Sequence, residues 1–417
     1  MRIAIGSLII KQILNCSDAW TVRHISENPY LQYFIGLKEY TAQCPFGEST
    51  MVVFRKRLSP EDIAQINEWI IPKTQETDKK EEDDDSDDHG DGGNGGTLIL
   101  DATCTPADIA YPQDLNLLNA SREKLEAVMD NLHAQVGGKK TRNYRKMARK
   151  AFLRVSKMRK RSDKVLRRAI GKQLGYVSRD IGIITQMIRV GARPTDRQRD
   201  LLSTIATVYE QQKAMRDSHT NSIPGRIVSL SQPWVRPIVR GKAKARTEFG
   251  AKLHISLTDG YAQVERLDFE AFNEAEDFIP AIERYRERNG HYPERVLVDK
   301  LYRNRNNLAY CKEHHIAVSG PRLGRPPKDW KPDRNQEYID ICERNAVEGV
   351  FGTGKRSYGW NRIAARLKQT AQTVIHLTIL ALNLTKRLRA FLRLLLQVVF
   401  KPFLSLMDLQ VVCTMNF

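Results

Sequence analysis

The spacing of apolar residues along the chain changes from a helical period to a strand-like period and back again. Apolar positions in residues 1–72 recur at helical spacing. The stretch SPEDIAQINEWI also carries helix start signals, with Ser59 as N-cap and Pro60 at the first helical position. A second, longer helical pattern covers residues 118–222. Both regions are therefore predicted to be helical.

Strands are predicted on either side of the second helical region. TLILD is an apolar run that ends in Asp101. After residue 223, the stretches RIVSL, EFGAKLHISLTDG and YAQVERLDF have strand patterns, with a turn at Asp259-Gly260. Helices are predicted in EAEDFIPAIERYRERNG and NNLAYCKEHH, strands in ERVLVD and IAVSG, and a final helical region at about 335–400. This order predicts an α/β fold, with a mixed sheet and a long helical insertion after its first strand.

Five segments follow from these patterns. They are an N-terminal all-α domain (1–72), an acidic glycine-rich linker (73–96), a sheet domain in two parts (97–117 and 223–385), a basic helical insertion (118–222) and an apolar and basic tail (386–417). The linker contains almost no apolar residues and cannot bury a core, so it is predicted to be disordered.

The excess of positive charge indicates that the protein binds a polyanionic partner. The chain has 67 Lys and Arg against 49 Asp and Glu, for a net charge of +18. Sixteen of the cations lie within residues 139–172, beside a single acidic residue, Asp163. A block of one sign repels itself unless it is neutralised, which favours phosphate contact over a merely solvated basic face. Nucleic acid is therefore the predicted partner.

The cysteines and the apolar segments indicate the compartment. Six scattered cysteines form no C-x-x-C pair, which is typical of a reducing cytoplasm. Lys11 interrupts the apolar N-terminus, and the apolar C-terminal stretches are broken by Lys386, Arg387, Arg389 and Arg393. We therefore expect a cytoplasmic, nucleoid-associated protein with no membrane segment.

Three acidic residues form a candidate metal centre. Asp101 and Asp299 each end a predicted strand, and such ends meet at the reactive edge of an open α/β sheet. Two close carboxylates repel each other, and a hard divalent cation relieves the repulsion. Glu348 follows on a predicted helix, with Arg344 four residues before it. The three carboxylates can hold two Mg²⁺ ions beside a phosphodiester, although an aspartate often simply ends a strand.

The stretch GVFGTGKRS is one letter from a phosphate-binding loop. Gly349, Gly354 and Lys355 fit the pattern, but Arg356 replaces the hydroxyl that binds magnesium. Such a loop must follow a strand, whereas the segment before Gly349 has a helical pattern. We therefore interpret the match as coincidental and assign Lys355 to phosphate binding beside Glu348.

These motifs together resemble bacterial insertion-sequence transposases of the DDE type over nearly the whole chain. The stretch ENPYLQYFIGL resembles the N-terminal helical domain of that family. LILDATCTPADIAYPQDLNLLN and VLVDKLYRNRNN resemble the blocks of the first and second aspartates, and the segment RNAVEGVFGTGKRSYGWNRIAARLKQTAQTVIHLTILALNL resembles the glutamate block. Residue 1 falls within what resembles the middle of the N-terminal domain, which indicates a shortened start.

The resemblance implies the fold and the chemistry. It implies an RNase H-like catalytic domain that uses Mg²⁺, for which Mn²⁺ can substitute, to cut and join DNA at terminal inverted repeats and in target DNA. It also implies a homodimer that holds two ends together. In the family pattern Y-x2-R-x3-E-x6-K, Arg344, Glu348 and Lys355 match, whereas Ile341 occupies the tyrosine position. The resemblance implies that the N-terminal domain (1–72), the 118–222 insertion and the basic loop at 322–331 bind DNA. The candidate phosphate contacts are Arg344, Lys355, Arg356 and Tyr358.

Three other functions stay open at this point. An RNase H-like nuclease would have the same acidic residues without strand transfer. A non-catalytic DNA-binding remnant is compatible with Ile341 and the altered ends. A nucleotide-binding protein would use the near match around Lys355.

Overall fold

The computed structural model describes residues 1–72, 93–138, 142–239, 247–320, 324 and 333–414, with only the backbone from residue 400 onward. Most of the predicted acidic linker and nearly all of the basic loop at 322–331 lie outside these residues. Among the described helices, none is both long enough and apolar enough to cross a membrane.

Five helices form the N-terminal part of the chain. They are α1 (Arg2–Leu14), α2 (Asp18–Glu27), α3 (Pro29–Ile35), α4 (Glu48–Arg57) and α5 (Pro60–Ile70). The start predicted at Ser59 is confirmed, because Ser59 and Asp62 form a reciprocal capping box in front of α5.

A six-stranded mixed sheet forms the centre of the molecule. Its strands are β1 (Thr97–Pro106), β2 (Arg236–Val239), β3 (Thr247–Thr258), β4 (Tyr261–Asp268), β5 (Arg295–Leu297) and β6 (Ala317–Val318). The strand order is β2-β3-β1-β5-β6, and β4 also pairs with β3. β1 runs antiparallel to β3 and parallel to β5, and β5 runs parallel to β6. The α/β class and the mixed sheet are therefore as predicted.

Four helices lie between β1 and β2. They are α6 (Asp114–Val136), α7 (Arg145–Ser156), α8 (Asp163–Arg189) and α9 (Asp196–Asp217). α6, α8 and α9 share a core that includes the buried residues Leu118, Leu125, Val177 and Ile205, and α7 packs beside it through Val155. The helical pattern read in this part of the sequence thus corresponds to a bundle inserted after the first strand.

The remaining four helices cover the two faces of the sheet. They are α10 (Phe278–Asn289), α11 (Arg305–Glu313), α12 (Arg334–Ser357) and α13 (Lys368–Thr414). Leu98 and Leu100 of β1 point to the face with α10 and α11, whereas Ile99 points to the face with α12 and α13. Because side chains alternate along a strand, Asp101 lies on the same face as Ile99, the face covered by α12 and α13.

Helix α13 joins the N-terminal helices to the sheet. Leu377 and Leu380 share a core with Leu8, Met51 and Ile63 of the N-terminal helices. The opposite side of α13 packs against the sheet. The boundary predicted at residue 385 falls inside this one continuous helix.

Two expectations about the strands and helices were wrong. RIVSL forms no strand, because Ile227 packs with Leu117 and Val208 in the inserted bundle, and the strand begins at Arg236 instead. The final helical region is also divided, since ten residues separate the end of α12 at Ser357 from the start of α13 at Lys368. The predicted turn between β3 and β4 is confirmed, with positive φ angles at both central residues.

Candidate active site

Asp101 lies in the middle of β1 rather than at its end, which corrects the position predicted from the sequence. The strand continues to Pro106 because the threonines after Asp101 suit an extended backbone and pair with β3. Asp101 pairs with Ile255 and accepts a hydrogen bond from the backbone N–H of Ala102 at 2.8 Å. Its side chain is half-buried on the same face as Ile99 and Thr103.

Asp299 lies just beyond the neighbouring parallel strand β5, which ends at Leu297, and it is near enough to Asp101 to raise the pKa of that carboxyl. The register pairs Thr97 with Arg295 and Ile99 with Leu297. The pairing ends there, and β1 continues to Asp101 while Asp299 follows two residues after the end of β5. The expectation that the two strands are neighbours is confirmed. Asp299 is exposed and accepts a hydrogen bond from the backbone N–H of Lys300 at 2.5 Å, where it begins a 3-10 turn.

Helix α12 carries Arg344, Glu348 and Lys355 along one side. Spacings of four and seven residues place them on a common stripe. The helix is fixed to the sheet at its start, where Arg295 pairs with Asp340 at 3.2 Å and with Glu343.

The middle and the end of α12 are also fixed over the Asp101 face. Val347 and Phe351 pack into the core that contains Ile99. Further along, Lys355 Nζ donates a hydrogen bond to Thr103 Oγ1 at 2.9 Å, two residues beyond Asp101 on the same strand face. The candidate cations are therefore held close to β1 by packing.

The electrostatic surroundings of Asp101 are strongly perturbed. The pKa of this carboxyl is raised to about 6, mainly by burial and also by the nearby carboxylates of Glu274 and Asp299. The Ala102 N–H and the Arg344 guanidinium act in the opposite direction. A perturbed carboxyl beside like charges is typical of a functional site.

Glu274 was missed by the sequence analysis. Its carboxylate lies 2.7 Å from Lys252 Nζ and accepts a hydrogen bond from the Tyr302 hydroxyl at 3.2 Å, within the turn that follows Asp299. The pattern around Glu274 predicts a helix, whereas the residue opens a short 3-10 turn before α10. No sequence signal separates it from the other acidic residues of that stretch.

The three predicted metal ligands are only partly brought together. Asp299 is near enough to Asp101 to affect its pKa, whereas Glu348 is exposed on α12 and has no such effect among the causes of that shift. Within the described ranges of the chain, no group of three His, Cys, Asp or Glu side chains is arranged to hold a metal ion. The donor set still suits a hard divalent cation, because both aspartates offer carboxylate oxygens on one sheet edge.

The near match to a phosphate-binding loop is helical throughout. All of residues 349–357 lie in α12, whereas a nucleotide cradle is a loop between a strand and a helix. The glycine at 354 has a packing role instead, because an added Cβ would lie 2.3 Å from the Trp360 ring. The structure therefore supports a coincidental match.

Arg356 and Tyr358 have different surroundings at the end of α12. Arg356 is exposed, with its Nε donating to the Gly352 carbonyl at 3.3 Å. Tyr358 is buried, and its hydroxyl lies 2.9 Å from Thr385 Oγ1 on α13. This environment suits a packing role for Tyr358, and we leave it out of the proposed DNA contacts.

Comparison with known proteins gives two family matches. Residues 296–385 match the family model described as Transposase DDE domain, and residues 1–57 match the model described as Transposase domain (DUF772). The chain is also similar to an uncharacterized protein, ORF8 in the nfe locus of Rhizobium meliloti. The two are 25% identical over 155 residues, which are 37% of this chain and 68% of that protein. No solved structure matches the chain. The two family matches confirm the resemblance stated above.

Proposed function

We propose that this DDE-type transposase binds the terminal inverted repeats of an insertion sequence, cuts the DNA there and joins the freed ends to target DNA. The observation that carries the proposal is the electrostatic proximity of Asp299 to Asp101, on whose sheet face the helix with Arg344, Glu348 and Lys355 packs. The matched DDE domain contains four of these five residues, all except Asp101.

In this proposal, Asp101, Asp299 and Glu348 hold two Mg²⁺ ions, with Mn²⁺ as a substitute. Bound divalent ions would supply activation of the attacking oxygen and neutralisation of charge on the leaving oxygen. Asp101 and Asp299 provide two fixed carboxylates on the sheet. Glu348, being exposed on α12, completes the set from the side on which DNA approaches.

In this proposal, Arg344 and Lys355 of α12 bind the scissile phosphate. Arg344 lies near enough to Asp101 to lower its pKa, so a phosphate bound at Asp101 is within its electrostatic reach. Lys355, held at Thr103, lies on the other side of Asp101 along the strand. Charge-assisted hydrogen bonds from these two groups would orient the phosphodiester for in-line attack. Arg356 extends this positive surface into solvent.

The DNA duplex beyond the cut would lie across the cationic helices α7 and α8. Arg145 fixes α7 to the bundle through Asp130 at 2.6 Å and the Glu126 carbonyl at 2.8 Å. Arg149 and Lys150 of the same helix are exposed. The bundle therefore presents a rigid positive face. Two ends must be cut together, so we propose that two copies act as a pair, beside the chromosome in the cytoplasm.

Reversing one exposed charge on α7 should weaken DNA binding in a salt-dependent way. For Lys150→Glu, we expect the slope of log K against log salt to become shallower by about 1, because one phosphate contact is lost. Fluorescence anisotropy with a labelled duplex over a range of salt measures this. Lys312→Glu on α11 is the charge-matched control, since Lys312 is equally exposed but far from the basic block in sequence. If the two variants show equal slopes, Lys150 makes no phosphate contact and α7 is not part of the DNA-binding surface.

Restoring the family tyrosine should increase cleavage. Ile341 is 54% exposed on α12 and lies two turns before Glu348. For Ile341→Tyr, we expect a rise of about three- to tenfold in the single-turnover cleavage rate, the size of one net hydrogen bond to phosphate. Ile341→Phe supplies the ring without the hydroxyl and should leave the rate unchanged. The hydroxyl has no such role if both variants behave alike.

One experiment tests the whole proposal. The purified chain is incubated with Mg²⁺, a linear DNA that carries the inverted repeats flanking its gene, and a supercoiled target. We expect nicked ends with a 3′-hydroxyl and products joined to the target. Hydrolysed ends without joined products would support a nuclease, and end binding without metal-dependent cleavage would support a DNA-binding remnant.

A further inference from the structure

Helix α13 leaves the molecular core halfway along its length. Its first part is buried, with Ile375 and Ile379 inside the sheet core and Leu380 against the N-terminal helices. From residue 388 to residue 399 the helix is exposed, although most of its residues are apolar. Eight large apolar side chains there are 44–67% exposed: Leu388, Phe391, Leu392, Leu394, Leu395, Leu396, Val398 and Val399.

Six of these apolar residues lie within about 120° around the helix, at 100° per residue: Leu388, Phe391, Leu392, Leu395, Val398 and Val399. They lie away from the side of Lys386, Arg389 and Arg393, and Leu394 and Leu396 flank them. Leu388, Phe391, Leu395 and Val398 follow a heptad spacing, which is typical of a helix that packs against another helix. No charged residue interrupts the apolar side between 388 and 399.

The cationic face of the same segment is turned toward its own molecule. Lys386, Arg389 and Arg393 line a cleft of about 430 Å³ together with Gly349 and Thr353 of α12. Arg387 donates to the carbonyl of Ile70 at 2.8 Å, which fixes the start of the segment against α5. The apolar face is therefore held outward, on a helix whose direction is set by a buried first half.

We propose that this face, formed by the apolar residues of 388–399, binds the same face of a second copy of the chain. At the observed exposures its six central residues present roughly 600 Å² of surface, most of the ~800 Å² per partner of a standard interface, and Leu394 and Leu396 extend it at the sides. A twofold contact matches apolar residues with apolar residues, while the cations of each copy stay on the far side in their own clefts. Nucleic acid does not fit this face, because it has no cation to meet a phosphate.

The inference goes beyond the proposed function, because it assigns a self-association surface that requires neither DNA nor cleavage. Its test is the oligomeric state of the full-length protein without DNA. A monomeric protein would contradict the self-association surface without affecting the proposed chemistry, and an inactive dimer would contradict the chemistry without affecting the surface.

Sedimentation equilibrium at micromolar concentration tests the surface. A buffer of about 0.5 M NaCl removes bound nucleic acid while leaving apolar association intact. We expect the wild-type protein to have twice the 47.8 kDa mass of the chain. For Leu395→Asp, we expect the dissociation constant of the dimer to rise at least about 100-fold, because a carboxylate would be buried in an apolar interface.

Gln397→Asp is the matched control for this experiment. It introduces the same residue two positions away, where the side chain lies on the opposite side of the helix. It should leave the dimer intact, and circular dichroism should show equal helix content in both variants. Val398→Asp replaces Leu395→Asp if the latter fails to fold.

Three outcomes would overturn the proposal. The wild-type protein could be monomeric at these concentrations, or the two aspartate variants could dissociate equally. Alternatively, monomeric wild-type protein could float with vesicles of phosphatidylglycerol and phosphatidylcholine, while Leu395→Asp does not. That result would assign the face to a lipid surface instead.

Discussion

Asp101→Asn is expected to slow DNA strand cleavage by at least about 1,000-fold, the scale on which members of a catalytic unit act. Asparagine keeps the size of the side chain and its hydrogen bond from the Ala102 N–H, but it removes the charge that would hold a divalent ion beside Asp299. Binding of the DNA ends should be unchanged, since the cations of α7 and α12 are retained. Single-turnover cleavage and anisotropy on the same duplex measure the two effects.

The same substitution should stabilise the protein in the absence of metal. Burial and the neighbouring carboxylates raise the pKa of Asp101 from 3.8 to about 6 in the folded state. Between these two values the folded state holds a proton that the unfolded state has lost, so stability falls as pH rises through the window. Above pH 6 the ionised Asp101 lowers the free energy of unfolding by about 2 kcal/mol, after allowance for partial solvent access. Asp101→Asn removes this cost at pH 8 and should match the wild type below pH 3.8.

Thermal unfolding with and without Mg²⁺ separates metal binding from catalysis. Mg²⁺ should raise the unfolding temperature of the wild-type protein and leave that of Asp101→Asn unchanged, because a ligand stabilises only the state that binds it. Asp196→Asn, on the exposed first turn of α9, controls for loss of a carboxylate and should behave as the wild type. Normal cleavage by Asp101→Asn would contradict the assignment of the site.

The sequence allowed the strands at Asp101 and before Asp299 to be predicted, but not the geometry of the two aspartates. Each aspartate follows an apolar run, which is enough to predict a strand there, although Asp299 lies two residues past the end of β5. Whether two strands pair in parallel depends on contacts far apart in sequence, and the 114–217 helical bundle intervenes between them. The pairing with β3 extends β1 through Thr103 and Thr105, and this tertiary effect moves Asp101 from the end of the strand to its middle.

Other parts of the fold and of the site could not be predicted, because they depend on contacts between residues far apart in sequence. The strand predicted in RIVSL has suitable residues, but Ile227 is needed by the helical bundle. Glu274 reaches the site through Lys252 and Tyr302, which come from two different elements. The candidates on α12 were easier to predict, because helical spacing alone places Arg344, Glu348 and Lys355 on one side.

The glycines of GVFGTGKRS offer the second large effect. Gly354→Ala is expected to lower the free energy of unfolding by about 2 kcal/mol, because overpacking against a fixed ring outweighs the gain in helix propensity. The added Cβ would lie 2.3 Å from Cε3 of Trp360, whose side chain is fully buried. Trp360 cannot easily withdraw, since its backbone N–H donates to the Gly354 carbonyl at 3.0 Å and its ring packs near Phe351.

Gly349→Ala is the matched control in the same helix. An added Cβ there meets nothing within 4 Å, so we expect a gain of up to about 1 kcal/mol from helix propensity. Urea unfolding of both variants measures the difference. Displacement of α12 by Gly354→Ala should also move Lys355 away from Thr103 and slow cleavage, whereas Gly349→Ala should not. Equal destabilisation at the two positions would mean that packing against Trp360 is not what requires the glycine, and tight ATP binding lost in both variants would restore the nucleotide-loop interpretation.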